Sequence, residues 1–505
     1  MKVSTASIER FIGRYSIGRD SNPSDVTGSI HFLRVKIPGG FITSDQFRRV
    51  AEISAKYARS QAEITNRQDI QLHWIEAEDA LDIFTVLDEL GFTTDMCGQG
   101  FAGARYGDVR NIVCCPVSGI EKGEILDVRP SIRKLTNFFV GNTDFLDMPR
   151  KFKISISGCG ADCTRAETND LALAAVRKGD ESGFTLLVGG SVGSSLPGPR
   201  LAQPTGIFVK PEDALDFVVA SAEIHRDYGN RESKAKARFK WLIDDWGIEK
   251  FLAVLEEKLG KPLERYDGPI FLRDSDHEGV QPQSQEGYYY VNIPLLGGGL
   301  NSQDMVRIAD LAEKYGSGEL RLTPTQNIIV PNVVETKNLI KHLEKMNFIL
   351  NNSRLRWTSM ACSSDFCGKT QSPHSKELLN EIVMYLETKF DKRLLDEAKV
   401  RIHISGCPNN CCANNISDIG LGGKLLREGD QTKQAYDIFL GGRFGLEQRF
   451  GRLAEEKVPA QEIKNKLDAL MSNYLKKRAN GESLGEFCNR HTTEELKMYL
   501  DINGG

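Results

Sequence analysis

Four cysteines in the second half of this 505-residue chain stand in two pairs: Cys362 and Cys367 in "MACSSDFCGKT", then Cys407 and Cys411 in "SGCPNNC". Four thiolates from two separated loops are what a cubane [4Fe-4S] cluster requires. They also make the tetrahedral set of a structural zinc ion, and pair spacings of two to four residues occur in zinc sites. Pro408 fits a tight turn in which backbone amides donate to sulfur. A fifth thiol, Cys412, is read as a packing residue.

A near copy lies upstream. "KISISGCGADCTRAETNDLAL" from Lys153 answers "RIHISGCPNNCCANNISDIGL" from Arg401, with Cys159 and Cys163 as its spaced pair. Cys114 and Cys362 are each followed forty-five positions later by the first cysteine of such a pair. The upstream partner of Cys159 and Cys163 is the adjacent pair Cys114 and Cys115, which is poorly shaped to give two ligands to one cubane. The second copy is therefore expected to hold the metal, and Cys114, Cys115, Cys159 and Cys163 are left without an assigned role, with a second cluster there as the alternative. Eleven cysteines, an odd number clustered in pairs, argue for ligation or redox chemistry over a disulfide framework.

The elements that must position these residues are themselves repeated. "VKIPGGFITSDQFRRVAEISAKYARSQAEITNRQDIQL" from Val35 and "VNIPLLGGGLNSQDMVRIADLAEKYGSGELRLTPTQNIIV" from Val291 share one order of strand, Gly/Pro turn, amphipathic helix and strand. Apolar positions at Phe47, Val50, Ile53 and Tyr57 recur at Met305, Ile308, Leu311 and Tyr315, the spacing of one helical face. "LLVGGSVG" and "IFLGGRFG" lack the spacings of a phosphate loop and read as strand-end turns. The basic stretch His225–Gly247 reads as a helix followed by a polar connection. These patterns predict an α+β fold with a pseudo-twofold duplication and three domains. The expected division is residues 1–90 plus 280–340 as a central domain, 91–279 supplying substrate-binding residues, and 341–505 carrying the cluster.

Composition narrows the class. With 40% hydrophobic residues and a formal charge of -4, the chain has core enough for several domains and is not a globally basic nucleic-acid binder. No apolar run approaches the roughly 20 residues of a spanning helix, and the start lacks a signal-peptide pattern, so a cytoplasmic location without membrane contact is expected.

"SMACSSDFCGKT", "ISGCPNNC", "LTPTQNIIV", "TNRQDIQLHW", "DVRNIVCCP" and "MPRKFKISI" together resemble the assimilatory sulfite and nitrite reductase family, over nearly the whole length and in order. The resemblance implies ferredoxin-like α/β units around a central sirohaem coupled to a [4Fe-4S] cluster. It places the cluster on Cys362, Cys367, Cys407 and Cys411, with the Cys411 thiolate also the axial ligand of the sirohaem iron. Four residues separate Cys362 from Cys367, where the family usually has five.

The resemblance also implies a substrate site at Arg67, Arg110, Lys151 and Lys153. Arginine offers a fixed cationic fork and lysine an adjustable acid, a combination suited to reducing and protonating a small oxyanion. Residues two apart in a strand share a face, so both lysines can reach one side of the haem. Lys-x-Lys is the pattern of the sulfite enzymes of this family and Lys-x-Asn that of plant-type nitrite enzymes. Six-electron reduction of sulfite to sulfide is thus expected, with nitrite to ammonia as the alternative. The eight carboxylates of sirohaem call for basic and amide groups, for which Arg105, Gln326 and Asn327 are candidates, with Lys234, Lys236 and Arg238 as further ones. Nothing resembles a flavin or nicotinamide domain, so electrons are expected from ferredoxin or a separate flavoprotein, delivered to a monomer.

Overall fold

The repeated strand-turn-helix-strand units form two sheets that exchange strands. The computed structural model describes residues 11, 13–19, 30–96, 107–194, 197–366, 371–429 and 431–501. One sheet runs Gly18–Arg19, Ile30–Lys36, Ile70–Glu76, Gln61–Ile64 and Gly299–Asn301, with Thr93–Thr94 paired to Ile30–Lys36. The other runs Val280–Pro282, Tyr289–Ile293, Ile328–Val333, Glu319–Leu322 and Phe41–Thr43. Each half lends a short strand to the other: Phe41–Thr43 pairs with Glu319–Leu322, and Gly299–Asn301 with Gln61–Ile64.

Each lent strand leads straight into a helix, Ser44–Tyr57 or Ser302–Tyr315. The expected apolar stripe is what these helices bury: Phe47, Val50, Met305 and Ile308 are fully enclosed, and Tyr57 and Tyr315 sit at the margin. Thr43 and Gln46 form a reciprocal cap at the first helix, and Asn301 accepts from the Asp304 amide at the second. A single apolar core joins the two units, from Leu33 and Ile70 to Val291 and Leu343.

Two further five-stranded sheets share one topology. The first is Val113–Cys114, Ile154–Ser157, Leu171–Lys178, Glu181–Val188 and Gln203–Pro204. The second is Met360–Ala361, Ile402–Ser405, Ile419–Glu428, Gln431–Leu440 and Arg452–Pro459. In both, the first three strands are parallel and the rest antiparallel. Neighbouring parallel strands release their following loops at the same edge, so each sheet gathers its cysteine loops at one end.

The registers correct one correspondence drawn from sequence. Val113 lies opposite Ser155 as Met360 lies opposite His403, and the amides of Cys115 and Cys362 each donate at 3.1 Å to the matching carbonyls, Ile156 and Ile404. Cys115, not Cys114, is therefore the counterpart of Cys362. The equal count of forty-five misled because the two connections differ by one residue in length. Cys114 and Cys115 point to opposite faces, as strand neighbours must, and pack in different clusters.

The glycine turns are strand ends, as expected. Gly189 takes φ +85°, and a side chain on Gly190 would lie 2.2 Å from the Glu167 carbonyl. The His225–Gly247 stretch differs from expectation. A helix Ala214–Tyr228 ends inside it, the basic run forms the connection, and "FKWLI" begins a second helix, Phe239–Leu259, kinked at Gly247. Charge on the connecting run masked the apolar residues that follow, of which Phe239, Trp241 and Ile243 are buried. Among the described residues no helix is long and apolar enough to cross a membrane.

Candidate active site

Cys362 follows the strand Met360–Ala361 directly, and Cys407 and Cys411 occupy the turn after Ile402–Ser405. The Gly406 amide donates to Cys362 Sγ at 3.2 Å, an interaction that favours the thiolate. Asn410, in the left-handed region at φ 50°, knots the turn. Its side-chain oxygen accepts from the Asn414 amide, and its nitrogen donates to Asn415 and across to the Val192 carbonyl at 2.9 Å. The Ser194 amide donates to the Pro408 carbonyl at 2.9 Å, so the glycine turn of the first half clasps the cysteine turn of the second. Within that turn Cys411 is exposed and Cys412 buried, its thiol pushed well up by burial. Cys367 and Arg105 lie outside the described residues.

Facing Cys411 is a small cavity of about 30 Å³ whose wall includes Asn66, Arg67, Lys153, Arg165 and Asn169. The first half thus supplies the cations and the second the thiol. Lys153 is set by its own backbone: its amide donates to Asp170 at 2.9 Å, and Arg238 grips the same carboxylate at 2.8 Å. Burial pushes the Lys153 ammonium well below the usual lysine range, with Lys151, Arg67 and Arg238 adding like-charge repulsion. Lys151 is lowered to about 8, first by burial and then by Arg238. Arg67 is lowered to about 10 by burial. Its guanidinium donates to Asn169 Oδ1 at 3.0 Å and to the Asn111 and Ile154 carbonyls.

The other residues singled out in the sequence sit elsewhere. Arg110 is buried behind the cavity wall, 3.4 Å from Asp95 and 3.3 Å from Asp108. Gln326 donates to the Ala361 carbonyl and accepts from its amide, both at 3.1 Å, fixing the strand that precedes Cys362. Asn327 donates to the Trp357 carbonyl at 2.8 Å and accepts from the Leu295 amide at 3.0 Å. These two amides are taken up by the chain and position the cysteine loop from behind. Arg238 acts through Asp170, while Lys234 and Lys236 are exposed on the connection.

Arg165 was missed by sequence reasoning. It stands where the second copy has Ala413, both in the left-handed region at φ 52°, and an arginine in one copy against an alanine in the other was the available signal. Arg67 Nε, Arg165 Nε and the Thr164 hydroxyl, all on the cavity wall, are buried with no hydrogen-bond partner among the described residues. Arg165 also lies 3.8 Å from Asp276, but Lys153 has no carboxylate pair among the described residues, and buried donors left open beside it call for an anionic occupant. A carboxylate-rich tetrapyrrole would suit that donor set.

Comparison with known proteins agrees with this geometry. The pattern described as "Nitrite and sulphite reductase 4Fe-4S domain" matches residues 106–263 and again 368–502. "Nitrite/Sulfite reductase ferredoxin-like half domain" matches 25–90 and 281–345. The chain is 32% identical over 490 residues to "Sulfite reductase [ferredoxin]" of Mycobacterium tuberculosis (strain CDC 1551 / Oshkosh), spanning 95% of this chain and 85% of that one. It is 32% identical over 454 residues to "Ferredoxin--nitrite reductase" of Leptolyngbya laminosa, spanning 88% and 86%. The solved structure of the Mycobacterium tuberculosis NirA protein superposes with a TM-score of 0.86 at 31% identity, covering 97% of this chain and 90% of that one. With both domain patterns matched twice in alternation and full-length relatives above 30% identity, the chain belongs to the nitrite and sulphite reductase family, enzymes built on a duplicated ferredoxin-like half domain and a 4Fe-4S domain.

Proposed function

We propose that the chain reduces sulfite to sulfide with six electrons, at a sirohaem whose iron shares the Cys411 thiolate with a [4Fe-4S] cluster on Cys362, Cys367, Cys407 and Cys411. The observation that carries this reading is the meeting of Lys153 and Cys411 on one cavity wall, from opposite halves. When bound, the coupled cofactors supply electrons to the anion one at a time.

The chain's own groups hold the substrate and move its protons. Arg67 and Arg165 present fixed charge that no pH in the working range removes. Lys151 and Lys153 neutralise the oxyanion and, with ammoniums made more acidic by burial, serve as proton donors for the departing oxygens. Arg110 is paired with Asp95 and Asp108 and stands back from the cavity. Electrons come from ferredoxin or a separate flavoprotein, the former in keeping with the names of the relatives.

The second ammonium of Lys-x-Lys favours doubly charged sulfite over singly charged nitrite. Steady-state rates with reduced ferredoxin or a viologen dye test the choice. Faster turnover of sulfite at saturation is expected, and equal or faster turnover of nitrite would overturn the preference. A purified protein without iron, labile sulfide or a haem band toward the red would overturn the cofactor assignment.

A further inference from the structure

The first-half thiols form a site of their own. Cys115, Cys159 and Cys163 are joined by His277, from the connection between the halves, and their four ligand atoms lie within 4.8 Å of one another. Cys159 Sγ is 3.7 Å from Cys163 Sγ and 3.5 Å from His277 Nε2, and Cys115 Sγ is 3.7 Å from the same nitrogen. A zinc ion with bonds of about 2.3 Å to sulfur and about 2.05 Å to nitrogen has tetrahedron edges of about 3.8 Å between sulfurs and about 3.5 Å from sulfur to nitrogen. The three observed separations are those edges to within about 0.2 Å, and the remaining three are at most 4.8 Å. A cubane needs thiolates on separate iron corners, wider apart than this set allows. The Cys159–Cys163 separation is also far beyond a disulfide bond of about 2.05 Å, and all four cysteines of this region are free.

The surroundings are those of a ligand set. All four residues are at most 2% exposed. The second imidazole nitrogen, His277 Nδ1, has no hydrogen-bond partner among the described residues but faces Glu121 Oε2 at 3.8 Å. Glu121 is fixed in turn by Arg273 and by the Tyr290 hydroxyl at 3.4 Å, the carboxylate support that metal-bound histidines use. His277 takes φ 54°, a conformation rare for a non-glycine residue, and its ring is buried beside Cys115 and Cys159. Five residues on from the matched cysteines the second-half sequence has Cys367 and the first-half sequence Ile120, so the imidazole supplies a ligand that the first-half sequence lacks there.

We propose that Cys115, Cys159, Cys163 and His277 bind one zinc ion, distinct from the iron–sulfur centre. With four protein ligands and no open position, the ion is structural. It pins the connection between the halves to the loop whose next residues, Thr164, Arg165, Thr168 and Asn169, line the anion cavity. Backbone contacts follow the same path: the Leu272 amide donates to Gly160 at 2.8 Å, and Arg273 to the Cys159 carbonyl at 3.1 Å.

Elemental analysis of the full-length protein, purified without a metal-affinity tag, should find about one zinc per chain beside the iron of a single cluster and haem. Zinc K-edge absorption should show three sulfur neighbours near 2.3 Å and one nitrogen near 2.05 Å. Cys159→Ser and His277→Ala should each lower zinc to near zero while iron per chain and the visible spectrum persist. The proposal falls if the native protein contains no zinc and takes none up on reconstitution, or if both variants keep their zinc. It falls equally if extra iron and labile sulfide disappear in Cys159→Ser, since the site would then hold a cluster. Should neither variant accumulate, the native zinc spectrum decides alone, and a shell without three sulfurs refutes the assignment.

Discussion

Lys153 and Arg401 occupy the same place in the two outer sheets and do opposite things. Each precedes the strand that leads to a cysteine turn, and each sets its amide on an aspartate seventeen positions on, Asp170 or Asp418, at 2.9 Å. Arg401 is buried against Asp274 at 2.6 Å and Asp276 at 2.9 Å, which hold it firmly charged. For Lys153 the nearby charges are cations and the Cys411 thiol. The difference originates in the connection between the halves. Asp274 and Asp276 neutralise one cation, and His277, next in sequence, completes the first-half thiol set. In the proposed reading, a short stretch belonging to neither sheet sets two similar copies apart, leaving one cation for an anion and one cysteine turn for the cluster.

The comparison is broken most severely at the thiols. Cys411→Ser should abolish turnover and uncouple the two cofactors spectroscopically, whereas Cys163→Ser, at the equivalent place, should keep most of the turnover and lose zinc. Equal losses would mean that both turns serve the reaction. At the cations, Lys153→Asn should retain both cofactors and lower sulfite turnover by about 100-fold or more. An unchanged rate would remove the charge argument for sulfite.

Stability should separate the same two positions with opposite sign. Arg401→Leu leaves Asp276 buried without its main partner and should cost about 3–5 kcal/mol in denaturant unfolding of the apoprotein. Lys153→Met removes an unneutralised buried cation and should leave that stability equal or higher. Asp276 adds a pH signature: its carboxyl is held near 2, chiefly by Arg401 against the cost of burial, below the roughly 3.9 of an unfolded chain. Its contribution is therefore complete above about pH 4 and lost as pH falls through 2.

The smallest effect concerns Lys151. With its pKa lowered to about 8, the ammonium is present below that pH and lost above it. Sulfite kcat/KM should decline on the alkaline side, at about pH 8 or higher because bound carboxylates favour the charged form. Lys151→Arg should remove the decline, because guanidinium keeps its proton; a persistent decline would assign it to another group.

Local periodicity carried the duplication and the paired helices, since Phe47, Val50, Met305 and Ile308 face a core that any strand-helix-strand unit must build. Motif order singled out the second-half thiols and the lysine pair, of which Cys411 and Lys153 meet on one cavity wall. His277 was not, because a lone histidine in a polar connection has no local signature and meets the cysteines only through the path of the chain. The pairing of Cys362 with Cys115 instead of Cys114 depended on sheet register, which a count of residues cannot supply across connections of unequal length. Arg110, Gln326 and Asn327 stand at motif positions, but the partners they take, Asp95, Ala361 and Trp357, come from segments distant in sequence.

The exchanged strands have a consequence for how the protein is made. The edge of Gln61–Ile64 is completed only by Gly299–Asn301, so a growing chain carries an open sheet edge until some 240 more residues have left the ribosome. At 5–20 residues per second that wait is roughly 10 to 50 s. The sheet from Val113 to Pro204 has all its strands by then, while its neighbour still displays unpaired backbone groups of the kind that recruit foreign strands. Synthesis from end to end, not the assembly of finished halves, sets how long that edge stays open.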